Sequence, residues 1–128
     1  MTALEKVVLI VEDEHLIAMG LSAQIEDMGL QVCATADTAE GAVALARLHR
    51  PFIILMDVRL RGEKDGVDAA QAIYDGVGSK IIFITGSREQ RTIDRIGQDH
   101  PFATLFKPIT DRQLQATVSE AISAIGQA

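Results

Sequence analysis

Hydrophobic positions fall into two alternating rhythms along the chain. Short continuous apolar runs, Val7 to Val11, Phe52 to Met56 and Ile81 to Ile84, are rich in β-branched residues and show no polar alternation. Runs of that kind read as strands covered on both faces, the pattern of a parallel sheet. Val32 to Thr35 and Ala103 to Phe106 are weaker candidates that complete a set of five at intervals of roughly 20 to 25 residues. Between the strands the apolar period lengthens. Ile17, Leu21, Ile25 and Met28 recur at helical spacing, as do Leu114, Val118, Ala121, Ile122 and Ile125, each set marking one side of an amphipathic helix. A further helix over 66–76 carries Val67, Ala70, Ile73 and Tyr74 on one side. Asp37 with Glu40, Ser87 with Gln90 and Thr110 with Gln113 each pair a cap residue with an acid or amide three positions on. Helices are therefore expected to begin near residues 38, 88 and 111.

A strand and a helix repeated five times, with right-handed crossovers, predict an α/β fold. Its form is a three-layer α/β/α sandwich, a (βα)5 doubly wound parallel five-stranded sheet, with order 2-1-3-4-5 as the expected arrangement. Five strands are too few for an eight-stranded barrel. The 128 residues suit a single domain, 1–128, with no repeat, low-complexity tract or linker. Gly76 to Ser79 reads as a helix-to-strand turn. With 48% hydrophobic residues the chain should bury roughly two-thirds of its unfolded surface and fold without disulfides.

Charge narrows the function. Twelve basic against 18 acidic residues give a net charge of −6, which argues against direct nucleic-acid binding. No apolar run approaches the roughly 18 residues that span a bilayer, and the N-terminus lacks the basic start and longer apolar core of an export signal, so a membrane role is not expected. One cysteine, Cys33, has no internal partner and reads as a small core residue, in keeping with the cytoplasm. Met19, Met28 and Met56 read as core, and His15, His49 and His100 as solvated residues at helix ends without ligand-like spacing. Arg88, Arg91 and Arg95, with Glu89 and Asp94 between them, read as a mixed solvated face, with a partner contact as the alternative.

In an open α/β sheet, ligands bind beyond the carboxyl ends of the strands. The first strand ends in Glu12-Asp13-Glu14, the third in Asp57, the fourth in Thr85-Gly86-Ser87 and the fifth in Lys107-Pro108. If the first and third strands are neighbours, Glu12, Asp13 and Asp57 converge. Three carboxylates repel, so either some protonate or a cation joins them, and hard oxygen donors suit Mg2+. Lys107 adds a point charge for a carboxylate or phosphoryl oxygen, and Thr85 adds a hydroxyl. Such a set suits an acyl-phosphate site.

Val8 to Glu14, Ile54 to Val58, Asp65-Gly66, Ile84-Thr85-Gly86 and Lys107-Pro108-Ile109, in that order, resemble the receiver domain of two-component response regulators over essentially the whole chain. The resemblance implies that Asp57 is the phosphoacceptor, taking its phosphoryl group from a histidine kinase, a phosphotransfer protein or a small donor such as acetyl phosphate. It implies Asp13 as a direct Mg2+ ligand and Glu12 as an acid holding the ion mainly through water. Asp57 and the backbone carbonyl of Arg59 also face the metal in that pattern. Thr85 corresponds to a switch hydroxyl and Lys107 to the cation that meets the phosphoryl group, with a cis Lys107–Pro108 bond. Catalysis is then confined to the protein's own phosphorylation and dephosphorylation. The output expected from the family is a shift of the helix 4, strand 5 and helix 5 face. That shift would address a downstream protein partner, an effector domain or a phosphorylation-dependent homodimer.

Three departures set this chain apart. Thr104 stands three residues before the lysine, where the family usually carries Tyr or Phe, and alternation places Phe106 on a less accessible face. The loop from Val58 to Gly66 lacks the frequent proline and is one residue longer than the commonest form. Phe102-Ala103-Thr104 is similar to the start of a motif in one subset of single-domain receivers, with Leu105 replacing its glycine. Arg59 and Ser87 occupy positions where family side chains tune hydrolysis. The alternative reading is a non-phosphorylated pseudo-receiver, a protein-interaction module. A phosphatase of the haloacid dehalogenase type would need an acid where Arg59 stands. A flavin carrier would need a phosphate-cradling loop where Glu12-Asp13-Glu14 would repel phosphate.

Overall fold

Each continuous apolar run forms a strand and each helical rhythm a helix. β1 (Glu5–Val11), β2 (Gln31–Ala36), β3 (Pro51–Asp57), β4 (Lys80–Thr85) and β5 (Ala103–Phe106) alternate with α1 (His15–Asp27), α2 (Ala39–His49), α3 (Gly66–Gly76), α4 (Gln90–Gly97) and α5 (Asp111–Gly126). The computed structural model describes residues 3–126. The ends of the expected 1–128 span, Met1, Thr2, Gln127 and Ala128, lie outside the described residues. All strand pairs are parallel, in the order β2-β1-β3-β4-β5, as the crossover argument predicts.

The absence of polar alternation follows from the two cores. Leu9, Val11, Ile54, Met56, Ile81 and Phe83 face α2, α3 and Ile96 of α4. Val8, Ile10, Ile53, Leu55, Ile82 and Ile84 face Ala18 and Ile25 of α1 and Leu114, Val118 and Ala121 of α5. Successive residues point to opposite faces, and both faces are covered. Every residue of β3, the central strand, is buried. Cys33 is half-buried against the first core, and burial raises its thiol pKa, which keeps it a small packing residue. No helix among the described residues is long and apolar enough to cross a membrane.

Several local expectations are corrected. In α1, Ala18 turns fully inward, while Ile17 sits at the rim and Met19 is 55% exposed. Ala18 takes the inward place expected of Ile17, while Leu21, Ile25 and Met28 pack against the core as the spacing predicts. Tyr74 turns outward from α3 and stacks on His100, with ring centroids 4.2 Å apart, so His100 is exposed as expected but has one ring face covered. The cap of α2 is Thr38, whose hydroxyl accepts the Gly41 N–H at 3.0 Å; Asp37 instead pairs with Arg61. α4 starts at Gln90, later than expected. The Ser87 hydroxyl accepts the Glu89 N–H and the Ser87 N–H donates to the Thr85 hydroxyl, so a local turn consumes the groups a cap would use. At α5 the reciprocal Thr110–Gln113 cap forms as expected.

α3 begins with a capping box the sequence reading missed. Asp65 accepts the N–H groups of Val67 and Asp68, and Asp68 returns a bond to the Asp65 N–H at 2.9 Å. Arg95, expected on a solvated face, reaches across from α4 and forks onto Asp65. Gly66 seats α3 against the end of β3, since a Cβ there would lie 2.0 Å from the Asp57 carbonyl oxygen. A methyl group cannot enter without displacing backbone. Gly66→Ala is therefore expected to lower stability by about 2 kcal/mol, read as a lower urea midpoint. An unchanged midpoint would mean that this backbone contact is dispensable.

Candidate functional site

Strand order decides which ends meet. β1 and β3 are direct neighbours, so Glu12 and Asp13, just past β1, lie beside Asp57, the last residue of β3. One carboxylate oxygen from each of Glu12, Asp13 and Asp57 can be chosen so that all lie within 4.8 Å of one another. Lys107 follows β5 and reaches over β4 to the same place. Its ammonium donates to Glu12 Oε1 and to Asp57 Oδ2, each at 3.1 Å. The backbone fixes the loops that carry these groups. The Glu12 N–H donates to the Ala36 carbonyl, and the Lys107 N–H donates to the Thr85 carbonyl at 2.8 Å.

The cluster sits on an apolar floor. Val11, Leu21, Leu55 and Ile84 close the space beneath Glu12, Asp57 and Lys107, leaving about 10 Å3, no more than one water requires. Glu12 is only 3% exposed and Asp57 7%. Burial, followed by the hydrogen bond and negative charge of neighbouring Asp57, pushes the Glu12 carboxyl up to about 8 against the opposing pull of Lys107. Burial works against the Lys107 ammonium as well, but Asp57 and Glu12 outweigh it and raise its pKa. One lysine shared between two buried acids leaves the site short of positive charge. The donor set is three hard carboxylate oxygens at the carboxyl ends of β1 and β3, which fits a small divalent ion such as Mg2+.

The other candidate residues are placed differently. Thr85 is buried beside the cluster, and its hydroxyl accepts the Ser87 N–H at 3.0 Å; no hydrogen bond joins it to Asp57 among the described residues. Arg59 is exposed, two positions beyond Asp57. Thr104 is half-buried in β5, opposite Phe83. Phe106 is not on a less accessible face than Thr104: two residues apart, they share one face of β5, and both are half-buried, with the Arg88 guanidinium 4.6 Å from the Phe106 ring centroid. That cation–π contact ties the β4–α4 loop to β5. The longer loop after Asp57 is anchored by buried Val58 and Leu60, and its Arg61 N–H donates to the Asp37 carbonyl. The Lys107–Pro108 bond is cis, as expected.

With this geometry in place, comparison with known proteins settles the family. Residues 8–119 match the model of the response regulator receiver domain. The chain belongs to this family. The receiver domain is 39% identical to the signal receiver domain of a modulated diguanylate cyclase from Desulfovibrio desulfuricans, with a TM-score of 0.87 over 92% of this chain and 94% of that one. It is 32% identical over 121 residues to the transcriptional regulatory protein PdtaR of Mycobacterium tuberculosis, covering 94% of this chain and 58% of the relative. It is 34% identical over 116 residues to the phyllosphere-induced regulator PhyR of Methylorubrum extorquens, covering 90% and 43%. The chain thus spans about half the length of the curated relatives it matches.

The raised Glu12 pKa has a stability consequence in metal-free buffer. The folded state holds a proton that the unfolded chain releases above about pH 4.5, so stability falls as pH rises from there through about 8. Urea midpoints in the presence of a chelator should show this decline in the wild type and a flatter profile in Glu12→Gln. The same slope in both proteins would mean that Glu12 does not carry the proton.

Proposed function

We propose that this receiver domain is a phosphoacceptor, taking a phosphoryl group onto Asp57 from the phosphohistidine of a histidine kinase or a phosphotransfer protein. The observation that carries the reading is the joint placement of Asp57, Glu12, Asp13 and Lys107 at one strand edge. An Asp57 oxygen attacks phosphorus in line, and the bond to the donor nitrogen breaks as the new acyl-phosphate bond forms. The transition state is loose and spreads charge over the equatorial oxygens, so placement and neutralisation supply most of the acceleration.

Glu12, Asp13, Asp57 and the backbone carbonyl of Arg59 are the groups that would hold Mg2+, which when bound neutralises phosphoryl oxygens. Lys107 already contacts Asp57 Oδ2 and would shift onto the phosphoryl group. Thr85 would exchange its contact with the Ser87 N–H for one with the new dianion. That exchange loosens the β4–α4 turn and alters the α4, β5 and α5 face, which would address a downstream protein partner, an effector domain or a second copy. The setting is the cytoplasm, and the domain turns over no separate substrate.

Intact-mass spectrometry with acetyl phosphate tests the reading. The expected result is one phosphoryl adduct that requires Mg2+ and is absent from Asp57→Asn. An adduct on Asp57→Asn would place the acceptor elsewhere. No adduct from acetyl phosphate or from a phosphorylated histidine kinase would favour a pseudo-receiver working as an interaction module.

A further inference from the structure

Between α3 and α4 lies a charge arrangement that phosphoryl transfer does not use. Asp99, just past the end of α4, is 6% exposed, and no donor among the described residues reaches its Oδ2. Asp68 and Asp75 of α3, Arg95 of α4 and adjacent His100 are the charged and titratable groups that act on it. Burial pushes its carboxyl up to about 6; Asp75 and Asp68 add to that rise, while His100 and Arg95 oppose it. A buried carboxylate without a donor is costly and is relieved by protonation or by a cation.

The cation is close but committed elsewhere. Arg95 lies in the last turn of α4, four residues before Asp99 in the turn that follows, and its charge acts on the Asp99 carboxyl. Its guanidinium instead spans to α3, with Nη1 2.6 Å from Asp65 Oδ2 and Nη2 3.1 Å from Asp65 Oδ1 and 3.4 Å from Asp68 Oδ1. Burial alone would raise the Asp65 carboxyl, but the hydrogen bonds and charge of Arg95, with help from Asp68, hold it below the usual range. The guanidinium is therefore bonded to both oxygens of Asp65, while Asp99, within reach of its charge, is buried with Oδ2 unpaired.

Asp65 is also tied to Asp57. Its carboxylate caps α3, and the next residue, Gly66, packs against the Asp57 carbonyl while donating its N–H to the Val58 carbonyl at 2.7 Å. A shift of the loop after Asp57 must move Asp65.

We propose that Arg95 is a two-position link, which in this arrangement forks onto Asp65 and ties α4 to the start of α3, and which transfers to Asp99 when the loop after Asp57 moves. The link rests on the proposed phosphorylation of Asp57 as the event that moves that loop. It gives the site a route to α4 in a chain that has Thr104 where the family usually has an aromatic.

Carbon-13 NMR titration of the Asp99 carboxyl, assigned by its loss in Asp99→Asn, reads the exchange. Asp65→Asn keeps a capping side chain and removes the competing charge without any phosphorylation. In that variant the Asp99 midpoint should fall by about one pH unit or more, and adding Arg95→Gln should restore it. Wild-type protein labelled with acetyl phosphate and Mg2+ should show the same fall. An unmoved midpoint in Asp65→Asn overturns the proposal, as does a fall that survives Arg95→Gln or an unmoved midpoint in protein carrying a phosphoryl group on Asp57. If Asp57 takes no label, phosphoacceptance fails, and the Asp65→Asn comparison still decides whether Arg95 has two positions.

Discussion

The structure turns on a shortage of positive charge at the carboxyl edge of the sheet. Glu12 and Asp57 are buried over an apolar floor and share one ammonium, that of Lys107, at 3.1 Å from each, while Asp13 adds a third carboxylate oxygen within reach. Burial in low dielectric disfavours every uncompensated charge. The edge is therefore set to accept something cationic.

The rest of the fold serves that edge. The order β2-β1-β3-β4-β5 brings the ends of β1 and β3 side by side and lets Lys107 reach them across β4. Two covered faces hold the strands in fixed register, which keeps the residues that end β1 and β3 side by side. Gly66 lets α3 sit directly on the Asp57 carbonyl, and Asp65 beside it is gripped by Arg95 of α4. The loop after Asp57 thus leads directly into the start of α3 and an anchor of α4.

Much of this was legible in the sequence because it is carried by local pattern. Unbroken β-branched runs announced the buried strands, and the residues that end them announced the edge, since a parallel sheet sends all its ligand-facing termini one way. The legible part stops where contacts depend on the packing of distant elements. Nothing near Arg95 in the chain identifies Asp65 as its partner, and Tyr74 gives no sign that His100 will stack on it. At the start of α1 both Ile17 and Ala18 fit an apolar stripe, and packing against the sheet selects the smaller. The delayed start of α4 reflects Ser87 serving a turn instead of a helix cap, a choice that Thr85 beside it decides.

The claim that the acidic edge is set to hold a cation is tested most directly by calorimetric titration of Mg2+ into the wild type and Asp13→Asn. Asp13 is the member of the acid cluster that Lys107 does not contact. The account predicts one ion per chain in the wild type and an affinity lower by about tenfold or more in the variant. No binding to the wild type at millimolar Mg2+, or equal binding to both proteins, would contradict it.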